Sequence, residues 1–296
     1  MKAFAGISTN AQPSRPVLRW HGGKWRLAPW IISHFPTHRT YVEPYGGAAS
    51  VLLRKPRADS EIYNDLDHEA VNLFRMLRDP AASAELVRRV RLTPFARVEF
   101  EAAWDWDGDP VERARRLIVR SHFGYGSDGS TRDARRATTG FRTDPKRSHG
   151  RGTTPAEDWK NYPPALALIV ERFAGVTIES IDALDVARKY DRPDTLHYVD
   201  PPYLPETRRM DHRDHGYRHE LSAEDHARLL DALRALGGMV VLSGYPSAIY
   251  DRALPGWEHR EIATFADGAR PRTECLWINP ACVEALGHGP LFRSLA

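Results

Sequence analysis

The chain has 296 residues, enough for one large domain or two moderate ones. Hydrophobic residues make up 42% and charged residues 27%, which excludes a disordered chain, a collagen-like fibre and a coiled coil, and no apolar run is long enough to span a bilayer. Two cysteines, Cys275 and Cys282, exclude a disulfide framework and fit a reducing cytoplasm, while a net charge of +3 permits nucleic-acid binding without demanding it.

Residues 1–16 are small, polar and proline-containing, with no signal-peptide core, and read as a flexible leader. From Val17 to about Asp79 the pattern is strand, glycine turn, helix: YVEPYGGAASVLL predicts a strand, a Gly-Gly turn and a helix start. EIYNDLDHEAVNLFRMLRD follows, with a short strand ending at Ile62 and Tyr63. After it Ala70, Val71, Phe74 and Leu77 fall at helical spacing. From Pro80 to about Val119 the chain reads as amphipathic helix. Residues 124–160 are rich in Gly, Ser, Thr and basic side chains, the composition of a functional or disordered loop. Alternation resumes near Tyr162, with a helix at about 163–173, the strand VTIES, a short helix, the strand TLHYVD, a helix near 222–236 and the strand MVVLSGY. HREIATFA and TECLWIN close the chain as a hairpin. Strand–helix alternation with a late hairpin predicts an α/β sheet with an antiparallel edge.

Four segments carry chemistry. In HYVDPPYLP, an apolar strand delivers Asp200 to its carboxyl end, and Pro201 and Pro202 stop the ladder because neither donates a hydrogen bond. Ligands of open α/β sheets bind outside such strand ends. The Asp200 carboxylate and the Pro201 carbonyl are acceptors that suit a planar amino group, and Tyr203 offers a face on which a base can stack; a plain strand-ending turn is the structural alternative. In YVEPYGGAAS, Glu43 ends a strand and Gly46 and Gly47 allow close backbone approach; without the Lys-Ser/Thr of a phosphate loop, the turn suits an adenosyl group better than a diphosphate. In IYNDLDHE, Asp65 lies about 20 residues beyond the glycine turn, the spacing of a ribose-binding carboxylate, while Asp67 is the better helix cap. In LRWHGGKWRLAPWI, Trp20 and Trp25 flank a glycine turn and Lys24, an arrangement able to cradle a sulfonium or a purine or simply to pack in a core.

Together and in this order, these segments resemble the Dam-like N6-adenine DNA methyltransferases, of the alpha group and phage type. RWHGGKWRLAPWI is similar to that family's first cofactor motif, YVEPYGGAASVLL to its glycine motif, YNDLD to its ribose motif and YVDPPY to its catalytic motif. VTIESIDALDV supplies Asp182 at a further acidic position, and YRHELSAEDHARLLDAL, VVLSGYPSAIYD and RPRTECLWIN resemble the family's C-terminal half. The resemblance implies a Rossmann-like methyltransferase fold, with a mostly parallel sheet, an antiparallel C-terminal hairpin and an inserted, mainly helical target-recognition domain. It implies S-adenosyl-L-methionine as methyl donor, contacted by Trp20, Lys24, Asp65 and Asp200. Glu43, Pro44 and Gly46 would shape the methionine pocket and Asp182 would lie near the cofactor's adenine. Asp200, Pro201, Pro202 and Tyr203 form the implied catalytic set around a target adenine in double-stranded DNA. The expected catalytic domain is 17–84 with 161–296, and the expected insert is 85–160. The middle segment departs from the family's recognition hairpin, so the GATC target does not carry over.

Within 131–160, eight basic residues face four acidic ones. Arg132, Arg135, Arg136, Arg142, Lys146 and Arg147 are the candidate DNA contacts there, joined by Tyr217 and Arg218 beyond the catalytic motif. His212, His215 and His219 cluster without the cysteines or HExxH pattern of a metal site, so no metal is expected. A cytosine-carbon methyltransferase would need a Pro-Cys nucleophile, which neither cysteine provides. Methylation of RNA or of the cytosine N4 amino group, and a catalytically silent DNA-binding protein of the same fold, are the alternatives. A cytoplasmic protein is expected, a monomer or a weak dimer.

Overall fold

The structure is a computed structural model that describes residues 12–127, 129, 139–143, 153–207, 218–266 and 270–287. In chain order the helices are α1 (Ala28–Ile32), α2 (His68–Arg78), α3 (Pro80–Leu92), α4 (Arg97–Ala102), α5 (Pro110–Phe123), α6 (Pro155–Lys160), α7 (Tyr162–Phe173), α8 (Ala183–Lys189), α9 (Ala223–Arg234), α10 (Ala248–Ala253) and α11 (Pro280–Gly287). The strands are β1 (Thr40–Glu43), β2 (Ser60–Asn64), β3 (Thr177–Glu179), β4 (Thr195–Val199), β5 (Met239–Gly244), β6 (Glu258–Ala266) and β7 (Arg270–Ile278). Two compact units divide the chain, one drawn from Met1–Trp25, Leu52–Arg54 and Asn72–Ala174, the other from Arg26–Val51, Lys55–Val71 and Gly175–Ala296. Among the described residues no helix is long and apolar enough to cross a membrane.

The second unit holds a single seven-stranded sheet of order β3-β2-β1-β4-β5-β7-β6. The first five strands are parallel, β7 pairs antiparallel to β5, and β6 and β7 form the hairpin at one edge. This is the mixed α/β architecture expected of a Rossmann-like methyltransferase fold. β4 and β5 are buried along their whole length, as strands in the middle of a covered parallel sheet must be, which explains their near-continuous apolar runs. Leu229, Leu230 and Leu233 of α9 pack with Val199, Val240, Leu242 and Trp277 on one face. Strand order reverses between β1 and β4, the point at which the crevice of a doubly wound sheet opens.

The first unit is helical and carries its own aromatic core. Phe95 lies 4.4 Å from Phe123 and 4.9 Å from Phe141, and Trp159 stacks on Tyr162 at 5.4 Å and 7°. The polar ends of these rings are satisfied: the Trp159 indole donates to the Thr93 carbonyl at 2.7 Å and the Tyr162 hydroxyl to the Val17 carbonyl at 2.7 Å. Three of its helices start on side-chain caps, Asp79 for α3, Asp109 for α5 and a Thr154–Glu157 capping box for α6, each followed by proline at the first turn. The unit begins earlier and ends later than the 85–160 segment read from the sequence.

Candidate active site at the carboxyl ends of the parallel strands

β1 ends at Glu43, whose carboxylate accepts the Tyr41 hydroxyl at 2.6 Å and is buried. The chain then turns through Pro44, Tyr45 and Gly46. Gly46 donates its amide to the Asn64 carbonyl at 2.8 Å, and a Cβ there would lie 2.2 Å from Cε2 of Tyr63 and 3.0 Å from the Asn64 oxygen, so only glycine fits. Gly47 and Ala49 both take left-handed conformations, with φ of 47° and 51°. That is why the helix expected after the glycines is instead a run of turns: two left-handed residues within three positions cannot continue a right-handed helix. A non-glycine residue in this region stores strain on the order of 1–3 kcal/mol.

Asp65 follows β2 and is gripped by backbone. Its Oδ2 accepts the Gly47 amide at 2.7 Å and its Oδ1 the Asp67 amide at 2.7 Å. Burial pushes the carboxyl up to about 6, and the two amide hydrogen bonds pull against that shift. Asp67 is the helix cap, accepting from the Glu69 amide at 2.9 Å. Asn64 was missed in the sequence reading, and it ties three strand ends together. Its amide donates to the Pro44 carbonyl at 2.8 Å and the Ile181 carbonyl at 3.1 Å, and its Oδ1 accepts the Ile181 amide at 3.0 Å. Beyond β3, Asp182 caps α8 by accepting from the Leu184 and Asp185 amides at 2.8 and 3.3 Å.

At the end of β4, Asp200 meets Tyr203. The Tyr203 hydroxyl donates to Asp200 Oδ1 at 3.0 Å, lies 3.1 Å from the Ser243 hydroxyl on β5 and makes a very short contact with Glu274 Oε1 on β7. Ser243 also donates to Glu274 at 3.1 Å. Tyr203 is 4% exposed and Glu274 3%. Burial, then the charges of Asp200 and Glu274, holds the Tyr203 phenol far above its usual range, so the proton stays on oxygen. The Tyr203 ring meets Tyr245 edge-on at 4.6 Å, and the Arg272 guanidinium lies 5.1 Å over the Tyr245 ring. Ser243 and Glu274 are further residues absent from the sequence reading. The one signal for them is a polar side chain beside a run of apolar, buried residues, S after MVVL in β5 and E before CLWI in β7.

The sheet unit therefore brings Glu43, Pro44, Gly46, Asp65, Asp182, Asp200, Pro201, Pro202 and Tyr203 to the carboxyl ends of four neighbouring strands, β3, β2, β1 and β4. Residues 20–101 match the D12 class N6 adenine-specific DNA methyltransferase family. In part of its length the chain is similar to the Dam-like DNA adenine methylases. It is 29% identical to the DNA adenine methylase of Vibrio cholerae over 118 residues, covering 38% of this chain and 42% of that protein. Against the DNA adenine methylase of Escherichia coli K12 it is 29% identical over 117 residues, with the same coverage. With that of Haemophilus influenzae it shares 35% over 65 residues, 22% of each chain. The chain thus spans about two fifths of the length of the first two relatives. A precorrin 8W decarboxylase structure from Methanobacterium thermoautotrophicum covers 86% of the chain and 89% of its own at 11% identity, but its TM-score of 0.33 is too low to bear on fold or function.

Of the other predicted residues, three belong to the helical unit and Arg218 stands beside the start of α2. Trp20 and Lys24 belong to the helical unit, where the Lys24 ammonium donates to the Gly22 carbonyl at 2.8 Å. Arg142, also in that unit, donates to the His122 carbonyl at 3.1 Å. Arg218 pairs with Asp67 at 2.9 Å and Glu69 at 3.0 Å beside the start of α2. Arg132, Arg135, Arg136, Lys146, Arg147, Tyr217, His212 and His215 lie outside the described residues. Both cysteines are free and buried.

Proposed function

We propose that the protein methylates the N6 amino group of an adenine flipped out of double-stranded DNA, with S-adenosyl-L-methionine as donor. The observation that carries the reading is the placement of Glu43 and Asp200 on the neighbouring strands β1 and β4, where strand order reverses, with Asp65 one strand further along. A crevice at that point, floored by a glycine that admits no Cβ and rimmed by carboxylates, fits a cationic, phosphate-free nucleoside.

S-adenosylmethionine supplies an electrophilic methyl group on a sulfonium. On this reading Asp65 accepts the ribose hydroxyls; its two oxygens are aimed by the Gly47 and Asp67 amides and each keeps a free lone pair. Glu43, Pro44 and Gly46 line the methionine portion and Asp182 the adenine. Trp20 and Lys24 are assigned to the cofactor on the likeness of their motif alone. The target base costs a few kcal/mol to unstack, and stacking on Tyr203 offsets part of that cost. The Asp200 carboxylate and the Pro201 carbonyl accept the two amino hydrogens, which localises the nitrogen lone pair and aims it; Pro202 keeps the backbone rigid. The amine becomes acidic only as its new bond to carbon forms, so Asp200 need not be a strong base. Because Tyr203 is buried against Tyr245, the base reaches its face only when Tyr245 gives way.

The segment 85–160 is assigned to target recognition, with Arg132, Arg135, Arg136, Arg142, Lys146 and Arg147 on phosphates or guanine edges and Tyr217 and Arg218 at the flipped base. The protein is proposed to act as a monomer. The deciding experiment is expression in a methylation-deficient host followed by modification-sensitive sequencing of its DNA. The reading requires N6-methyladenine at a defined sequence with wild-type protein and none with Asp200→Ala; wild-type DNA free of the mark refutes it.

A further inference from the structure

On the outer hairpin, β6 and β7 pair so that Glu261 faces Cys275 and His259 faces Trp277. Side chains alternate along a strand, so His259 and Glu261 share one face, and the cross-strand pairing puts Cys275 on it with them. The Cys275 sulfur lies 3.9 Å from Glu261 Oε1, the His259 Nε2 lies 3.7 Å from the same oxygen, and all three ligand atoms fall within 4.8 Å of one another. We propose that His259, Glu261 and Cys275 form a binding site for a borderline-soft divalent cation of the zinc class.

Three features support this assignment. First, the donor set of thiolate, imidazole and carboxylate is the one that zinc-class ions prefer over magnesium or calcium. Tetrahedral bonding at ordinary zinc distances needs sulfur–oxygen and nitrogen–oxygen separations of about 3.6 and 3.4 Å, so these two pairs need to close by only about 0.3 Å, while the sulfur–nitrogen pair, within 4.8 Å, must close to about 3.6 Å. Second, the histidine ring is already oriented. It stacks on Trp277 at 5.0 Å and 11°, and the Trp277 indole is anchored to Asp251 at 2.9 Å. Such outer support is what fixes a ligating imidazole. Third, access and charge suit a cation: His259 and Glu261 are exposed, whereas the buried Cys275 thiol feels the negative charges of Glu261, Glu274 and Asp251. Three protein ligands leave a fourth position for water. Binding forms a metal–sulfur bond, and the thiol proton leaves to solvent. A bound ion would clip the edge strand β6 to β7.

The test uses the full chain, stripped with a chelator and titrated with Co2+. The expected result is one ion per chain with a thiolate-to-cobalt charge-transfer band and tetrahedral visible bands, displaced by Zn2+. The band is expected to vanish in Cys275→Ser and persist in Cys282→Ser. Exposed His259→Ala, which leaves the core intact, is expected to weaken affinity by roughly tenfold or more. Zn2+ is expected to raise the melting temperature of wild type and not of His259→Ala. A wild type that binds no Co2+ with a thiolate band overturns the proposal. So does a band that survives in Cys275→Ser, or wild-type affinity in His259→Ala.

Discussion

The rim of the sheet is built in two different ways on either side of the strand reversal. Around β1 and β2, Asp65 and the turns are held mainly by backbone, with Gly47 and Asp67 amides on Asp65, the Asn64 carbonyl on Gly46 and the Pro44 carbonyl on Asn64, and only Glu43 takes a side-chain donor, the Tyr41 hydroxyl. Around β4, Asp200 and Tyr203 are held by side chains brought from β5 and β7, Ser243 and Glu274. Backbone donors cannot rotate away, so the first half is a fixed mould. Hydroxyls and carboxylates can exchange partners, so the second half can rearrange around an arriving base. The proposed chemistry divides the same way, with cofactor on the fixed side and target on the adjustable one.

The largest expected effect lies on the adjustable side. Asp200→Ala removes the acceptor that aims the amino lone pair, and methyl transfer should fall by about 10³-fold, on the order of 4 kcal/mol of transition-state stabilisation. DNA affinity, measured by fluorescence anisotropy, should change little. A loss confined to DNA binding would move Asp200 from chemistry to docking and erase the distinction between the two halves.

On the fixed side the next effect is a pH dependence. Asp65 has a folded value raised from 3.8 to about 6, so the folded state holds the proton more tightly than the unfolded chain. Its contribution to stability is therefore fully present below about 3.8 and is lost as pH rises through about 6, up to about 3 kcal/mol in all. The stability advantage of wild type over Asp65→Ala, from urea unfolding, should shrink between pH 4 and pH 7. An advantage that grows over that range would mean the amide donors outweigh burial. Gly46→Ala tests the same mould sterically. Its Cβ would overlap the Tyr63 ring at 2.2 Å, and overpacking of this kind costs about 2–3 kcal/mol. An alanine tolerated without loss would show that the glycine turn can move.

The two halves also differed in how readable they were. Asp65, Gly46 and the YVDPPY segment stood out in sequence because local constraints, a glycine that admits no Cβ and prolines that end a ladder, write themselves into adjacent residues. The strands β4 and β5 were legible from their mostly apolar runs, and the late hairpin from its two β-prone segments. What stayed hidden depends on pairing across the sheet. Ser243 and Glu274 lie 40 and 71 residues from Tyr203 and meet it only because β5 pairs with β4 and with β7. Asn64 reaches Ile181 across 117 residues for the same reason. The helix expected after Gly47 failed on backbone conformation at Ala49, a residue type that carries no warning of a positive φ.

The smallest expected effect probes the side-chain network itself. A tyrosine hydroxyl has one hydrogen, so Tyr203 can donate to Asp200 or to Glu274 but not to both at once. Its position between two carboxylates makes it the shared donor, with Ser243 supplying Glu274 in turn. Tyr203→Phe keeps the stacking face and removes that donor; Glu274→Gln keeps the shape and removes a charge. Each should lower kcat by about tenfold with KM for DNA nearly unchanged, because the ring still stacks but is no longer aimed. The double variant should lose far less than the product of the two, with a coupling of about 1 kcal/mol, since either change alone already breaks the shared hydrogen bond. Strict additivity would mean that Glu274 acts on the fold alone. Coupling would place a β7 residue, 71 positions beyond the motif it serves, among the groups that position the target base.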